Sequence, residues 1–272
     1  MVRSTLTTCP YCGTGCGVKA DVHADGTVAI SGDPDHPANF GRLCIKGSTL
    51  AETLTPEGRL THPEIAGRQV SWDEALDRIA SEFGAAIRDH GPDSVALYVS
   101  GQILTEDYYV ANKLMKGFVG SANIDTNSRL CMASSVAGHK RAFGTDTVPG
   151  TYEDLDTADL VVLVGSNLAW CHPILFQRIA AAKAARGTRV IVLDPRRTAT
   201  SEIADRHLSL MPGSDVALFA GLLHALDRAG ARDAAFVADH TAGLEAALEA
   251  TARFADLAEV AAETGLGIDE IA

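Results

Sequence analysis

Four cysteines stand at the front of the chain: Cys9, Cys12 and Cys16 in "CPYCGTGC", and Cys44 in "GRLCIKG" after a gap of twenty-seven residues. Six cysteines in 272 residues are too few for a disulfide scaffold, and clustered thiols in a reducing compartment are more often metal ligands. A zinc ribbon normally supplies a second close pair, which is absent here. Three thiolates from one tight loop plus a remote fourth suit a four-iron four-sulfur cube, whose corners take four cysteines. Zinc, or simple burial of the thiols, remains the alternative on spacing alone. Gly13, Gly15 and Gly17 let the loop curl, since glycine reaches backbone angles that other residues avoid.

Two further groups of residues could bind anions. "VVLVGSN" ends at Gly165, Ser166 and Asn167 and leads to a helix starting near His172, so backbone amides would collect at a strand's carboxyl end. "VIVLDPRRT" ends another strand with Asp194, an acceptor for a ribose or guanine donor, and with Arg196 and Arg197, which could clamp phosphate. Together they look like half of a nucleotide site, but either loop is equally readable as a turn. "MPGSD", from Met211, can be a helix start capped by Ser214 or Asp215. Cys131, in "NSRLCMASSVAG", falls at the apparent start of a helix, where a thiol pKa is lowered; a small core residue is the plainer reading. Cys171 reads as buried filler, and His172 as a helix-start residue bonded to backbone.

The elements that must position these residues change character along the chain. "GVKADVHADGTVAISGDPDH" alternates around Asp25-Gly26, a hairpin with a tight turn, so a small cluster domain is expected to end near residue 55. "TPEGRLTHPEI" is punctuated as a connector. "SWDEALDRIASEFGAAIRDHG" has a Ser71 cap, Glu74 three residues on, helical apolar spacing and a Gly91-Pro92 stop. Strands are expected at "SVALYVSG", "ADLVVLVGSN" and "TRVIVLDP", with helices at "TEDYYVANKLMKGFVG" and "HPILFQRIAAAKAARG" between them and an alanine-rich helical stretch after residue 216. Near-continuous β-branched runs separated by helices imply a parallel sheet covered on both faces. The fold class is α/β: a small iron-sulfur domain followed by Rossmann-like parallel-sheet α/β domains.

A net charge of -12 repels phosphate backbones and anionic lipid, so no nucleic acid or membrane partner is expected. The best apolar run has strand length, far below the roughly 18 residues of a membrane span. The opening "MVRSTLTT" lacks an apolar signal core, which points to a cytoplasmic protein.

The cluster motif, "GRLCIKG", "SWDEAL", "RLCMAS", "GSNLAWCHP", "DPRRT" and "PGSD" stand in the order found in the bis-molybdopterin guanine dinucleotide oxidoreductases, and the chain resembles that family across nearly its whole length, with cytoplasmic assimilatory nitrate reductases the nearest pattern. The resemblance implies a 4Fe-4S cluster on Cys9, Cys12, Cys16 and Cys44. It implies molybdenum bis(molybdopterin guanine dinucleotide) with Cys131 as the sulfur ligand, and makes Cys131 and Lys46 the expected catalytic residues, Lys46 lying between cluster and pterin. Gln102, Asn127, the 165–172 loop with Gly165, Ser166, Asn167 and His172, then Asp194, Arg196, Arg197 and Thr198, and finally Gly213, Ser214 and Asp215, match stretches that contact the dinucleotides.

The domains it implies are 1–55 for the cluster, 56–127 for an α/β segment, and 128–272 for an incomplete dinucleotide-binding domain. The activity it implies is reduction of nitrate to nitrite by oxygen-atom transfer, fed by ferredoxin, flavodoxin or an NADH-dependent reductase subunit. Formate dehydrogenases of this kind place histidine directly after their cysteine; here it is Met132, which favours nitrate. Formate dehydrogenase on the same scaffold, or a non-enzymatic iron-sulfur or zinc module, are the other readings. Family members are several times longer, so the chain looks like an amino-terminal portion, not expected to be active alone.

Overall fold

A computed structural model describes residues 2–272, apart from the side chain of Arg129. The chain divides into two compact units, one ending at Pro149 and one running from Gly150 to Ala272. Among the described residues no helix is long and apolar enough to cross a membrane.

The first unit opens with an antiparallel sheet of β1 (Arg3–Thr8), β2 (Gly17–Val22) and β3 (Val28–Gly32), in the order β1-β2-β3. β2 and β3 are joined by the expected tight turn: Gly26 takes φ +84° and His23 N–H donates to the Thr27 carbonyl at 2.8 Å. The short helix α1 (Ile45–Ser48) follows, then a β4–β5 ribbon (Glu64–Ile65, Arg68–Gln69) and the long helix α2 (Trp72–His90). Ser71 caps α2 by accepting from Glu74 N–H at 3.1 Å, and Gly91 ends it, as its pattern predicts. The apolar stripe of α2 is exposed at Trp72, Leu76 and Ile79. Next come β6 (Leu97–Val99), α3 (Thr105–Asn112) continuing into a π-helical stretch to Val119, β7 (Ile124–Thr126) and α4 (Ala133–Phe143). β6 and β7 run parallel, side by side.

Between residues 2 and 55 the buried apolar side chains are Cys9, Cys16 and Val18. This part is held instead by close backbone approaches. A Cβ added at Gly32 would stand 2.1 Å from the Gly41 carbonyl oxygen, and one added at Gly17 would stand 2.3 Å from the His36 side chain. Gly32→Ala is therefore expected to destabilise this unit by about 1–3 kcal/mol, the usual cost of forcing a methyl into a filled space. Denaturant melts of the two proteins measure it, and an unchanged midpoint would refute the close approach.

The second unit carries a parallel sheet of β8 (Leu160–Val164), β9 (Arg189–Leu193) and β10 (Arg206–Leu208), in the order β10-β9-β8. Around it lie α5 (Tyr152–Thr157), α6 (Leu168–Cys171), α7 (Pro173–Arg186), α8 (Asp215–Arg228), α9 (Ala234–His240), α10 (Leu244–Ala250), α11 (Leu257–Thr264) and α12 (Ile268–Ile271). One face packs Val161, Val190 and Val192 against Leu168 and Ile179; the other packs Leu193 with Leu210, Leu218, Val260, Leu266 and Ile271. Arg178, buried on α7, bonds Asp156 through Nε and Nη2 and lies 5.6 Å over the Tyr152 ring, which ties α7 to α5.

Two expectations need correction. The predicted strands do not join one sheet, because β6 finds its partner in β7 and β8 in β9. Nor is the cover complete: Leu160, Val162 and Val164 stay exposed, since α8 and α11 pack over β9 and β10 only.

Candidate cofactor sites

The three-cysteine loop spans the gap between β1 and β2. Its ends are tied where Cys9 N–H donates to the Cys16 carbonyl at 2.8 Å, and Gly15 N–H turns back to the Cys12 carbonyl at 3.1 Å. Gly15 does this at φ +59°, a conformation that favours glycine. Cys44 sits at the amino end of α1. Cys9 and Cys16 are buried, Cys12 and Cys44 half-buried.

Burial pushes the Cys16 thiol up to about 11, and the negative charge that Cys9, Cys12 and Cys44 would carry adds to it. Cys9 is also raised, first by burial and then by Cys12 and Cys44, although a backbone amide at Tyr11 and the Lys46 ammonium pull the other way. Cys9 and Cys16 thus each feel Cys12 and Cys44, and Cys16 feels Cys9 as well. Four thiolates here would repel strongly, and a group bringing positive iron among them offsets that repulsion. The donor set fits an iron-sulfur cube.

Lys46, exposed on α1, lies with Nζ 5.9 Å from the centre of the Tyr11 ring, within cation–π reach. Tyr11 was not singled out by sequence reasoning; an aromatic residue directly beside a cluster cysteine is the signal that could have marked it. The same loop reaches the next candidate site, since a Cβ at Gly13 would stand 3.9 Å from the Ile103 carbonyl.

That second site forms where β6 and β7 end together. Asn127 Oδ1 accepts from Gly101 N–H at 3.0 Å, which locks the 100–104 loop, with Gln102, to the segment after β7. The approach is close enough that a Cβ at Gly101 would lie 2.6 Å from Ser128 Oγ. Cys131 follows in a turn two residues ahead of α4 rather than inside the helix, exposed, with its thiol 3.3 Å from the Ser128 carbonyl. The core-residue reading of Cys131 is thereby excluded. Gln102, Asn127 and Cys131 share the carboxyl edge of a parallel strand pair, where ligands of α/β proteins bind.

In the second unit three loops leave the carboxyl ends of β8, β9 and β10. Gly165 (φ +54°) donates its N–H to the Leu193 carbonyl at 2.8 Å, and Asn167 Oδ1 accepts from Thr200 Oγ1 at 3.1 Å, which fixes the 165–172 loop to the segment after β9. His172 precedes α7, its carbonyl accepting from Phe176 N–H at 3.0 Å, and its side chain makes no cap bond. Asp194 Oδ1 accepts from Arg196 N–H at 2.8 Å, a tight turn that leaves Arg196 and Arg197 exposed, while Thr198 is half-buried. The third loop is pinned by Met211 N–H on the Thr264 carbonyl at 2.8 Å. Ser214 makes no side-chain cap; its hydroxyl donates to the Met211 carbonyl instead, and Asp215 opens α8 after Gly213 turns at φ +84°. Cys171, expected to be buried, is exposed, because the four-residue α6 leaves its last side chain at the surface.

The family description "Molybdopterin oxidoreductase" matches residues 59–269, and "Molybdopterin oxidoreductase Fe4S4 domain" matches residues 2–55. The chain belongs to the molybdopterin oxidoreductase family. The two matched domains bring its cofactors, a four-iron four-sulfur cluster and molybdenum held by molybdopterin. A nitrate reductase of Klebsiella oxytoca is 60% identical over 231 residues, covering 85% of this chain and 27% of that protein. A nitrate reductase of Shewanella frigidimarina is 49% identical over 273 residues, covering 97% of this chain and 29% of that protein. The chain therefore spans under a third of these relatives' length. Among solved structures of the family's fold, acetylene hydratase from Pelobacter acetylenicus superposes with a TM-score of 0.78 at 28% identity, over 98% of this chain and 37% of that one.

Proposed function

We propose that this molybdopterin oxidoreductase chain serves the reduction of nitrate to nitrite, as the electron-receiving portion of a catalytic subunit. The observation that carries the reading is its 60% identity to a protein named nitrate reductase, over 85% of this chain. Met132, in place of a proton-handling histidine, supports nitrate over formate.

In this reading Cys9, Cys12, Cys16 and Cys44 hold the cluster and Cys131 supplies the sulfur to molybdenum. When bound, these cofactors supply one-electron delivery and oxygen-atom transfer respectively. The chain's own residues position and shield them. Asn127 holds the 100–104 loop beside Cys131, so that Gln102 and the thiol stay at one strand edge. Cys131, exposed and turned out of any helix, is free to be a thiolate ligand, a soft donor suited to a metal already carried by sulfur. Lys46 keeps a positive charge near Cys9 and over Tyr11, where it favours arrival of negative charge at the cluster. The loops after β8, β9 and β10 hold the guanine dinucleotide: Arg196 and Arg197 meet phosphate, and Asp194 accepts from the base.

The test uses the intact parent enzyme with both cofactors loaded. With dithionite-reduced viologen it is expected to form nitrite from nitrate and to leave formate untouched. Formate oxidation without nitrite formation would overturn the nitrate assignment while leaving the family intact.

A further inference from the structure

A gap of twenty-seven residues separates Cys16 from Cys44, and the β2–β3 hairpin returns the chain beside Cys16 only as far as Asp33. Beyond Asp33, a side chain ties the two segments directly. Asn39 is 1% exposed, and buried polar side chains persist where their hydrogen bonds are complete. Its Oδ1 accepts from Gly17 N–H at 2.8 Å; its Nδ2 donates to the Gly17 carbonyl at 3.1 Å and to the Arg42 carbonyl at 2.8 Å. Gly17 N–H can only donate, and the two carbonyls can only accept, so the amide has one orientation that satisfies all three.

Gly17 directly follows Cys16, and Arg42 stands two residues before Cys44. One planar side chain therefore joins the three-thiol loop to the segment that delivers the fourth thiol. The backbone around it follows the same course. Asp33 N–H donates to the Gly17 carbonyl at 3.0 Å, Gly41 N–H to the Asp33 carbonyl at 2.8 Å, and Phe40 N–H to the His36 carbonyl at 2.8 Å. Phe40 (φ +45°) and Gly41 (φ +77°) are both left-handed, which reverses the chain toward Cys44. A phenylalanine adopts that conformation only where its surroundings hold it.

We propose that Asn39 is the positioning residue that sets where Cys44 stands relative to Cys9, Cys12 and Cys16, acting through the backbone of Gly17 and Arg42. This rests on the reading that those four cysteines hold one cluster. Asparagine suits the task because a single amide offers both an acceptor and two donors on a short, stiff stem. Aspartate of the same size keeps the acceptor for Gly17 N–H but turns a second oxygen toward two carbonyls, so it preserves packing while breaking the tie to Arg42.

The experiment is a brief anaerobic iodoacetamide pulse on the purified cluster-loaded protein, wild type and Asn39→Asp, with each cysteine read by mass spectrometry. In the variant, Cys44 is expected to be alkylated roughly tenfold faster or more than in wild type, while Cys9, Cys12 and Cys16 stay protected. Cys44 protected as in wild type, or all four thiols opening together, would overturn the proposal.

Hydrogen exchange on wild type decides the same point without a mutation, and so covers a variant that fails to fold. Amides of 40–44 are expected to open together with those of 16–18, and faster independent opening of 40–44 counts against the strut. Wild-type thiols that react like free cysteine would sink the cluster reading instead, and the exchange pattern would still decide the role of Asn39.

Discussion

In the intact parent enzyme, on the proposed reading, Cys131→Ser is expected to abolish nitrite formation while leaving the cluster's visible absorbance and paramagnetic signal in place. The loss should exceed the roughly 10–100-fold that follows removal of an outer-shell partner of a metal ligand, because here the ligand itself changes. Sulfur is a soft donor, and a serine hydroxyl is a hard one that holds its proton at neutral pH. Folding is a poor rival explanation. Cys131 is exposed, and its thiol's hydrogen bond to the Ser128 carbonyl at 3.3 Å can be made by a hydroxyl as well. The dye-linked assay and a cluster spectrum on the same preparation separate the two effects. Retained activity would remove Cys131 from the metal.

Cys16→Ser is the complementary case, with loss expected at the other cofactor. Iron should fall from about four atoms per chain toward none, with the brown absorbance, because a cube bound by three thiols loses one of its two buried anchors. Cys16 lies buried at the root of β2, and burial together with Cys9, Cys12 and Cys44 pushes its thiol up to about 11. A free thiol is therefore protonated in this pocket at neutral pH, and the thiolate exists there when iron offsets its charge. Unchanged iron content and absorbance in the variant would show that Cys16 does not bind the cluster.

The local elements of this fold were legible because their signals are local. Ser71 with Glu74, then Gly91, states a helix with its cap and its stop, and Asp25-Gly26 between alternating runs states a hairpin. The pairing of strands was less legible. "SVALYVSG" and "ADLVVLVGSN" look alike as apolar runs, yet β6 pairs with β7, a three-residue strand too short to carry a pattern, and β8 pairs with β9. Cys171 illustrates the same limit, since a cysteine beside Trp170 looks apolar, while its exposure depends on how few residues α6 contains. At the candidate sites the reactive residues were readable from type and spacing. Their supports were not. Asn39 and Asn127 work across 22 and 26 residues to Gly17 and Gly101, and an asparagine in a loop carries no mark of a distant partner.

The stretch from residue 2 to 55 buries three apolar side chains, and two of them are the thiols Cys9 and Cys16. An ordinary small domain folds around a packed hydrocarbon interior, and this stretch buries little hydrocarbon of its own. If Cys9, Cys12, Cys16 and Cys44 hold the cluster as proposed, the inorganic group would take part of that place, and iron would act as a folding reagent for this stretch. In an iron-starved cell the newly made chain would present an unshaped leading segment to proteases, and its abundance would follow the metal before any change in transcription.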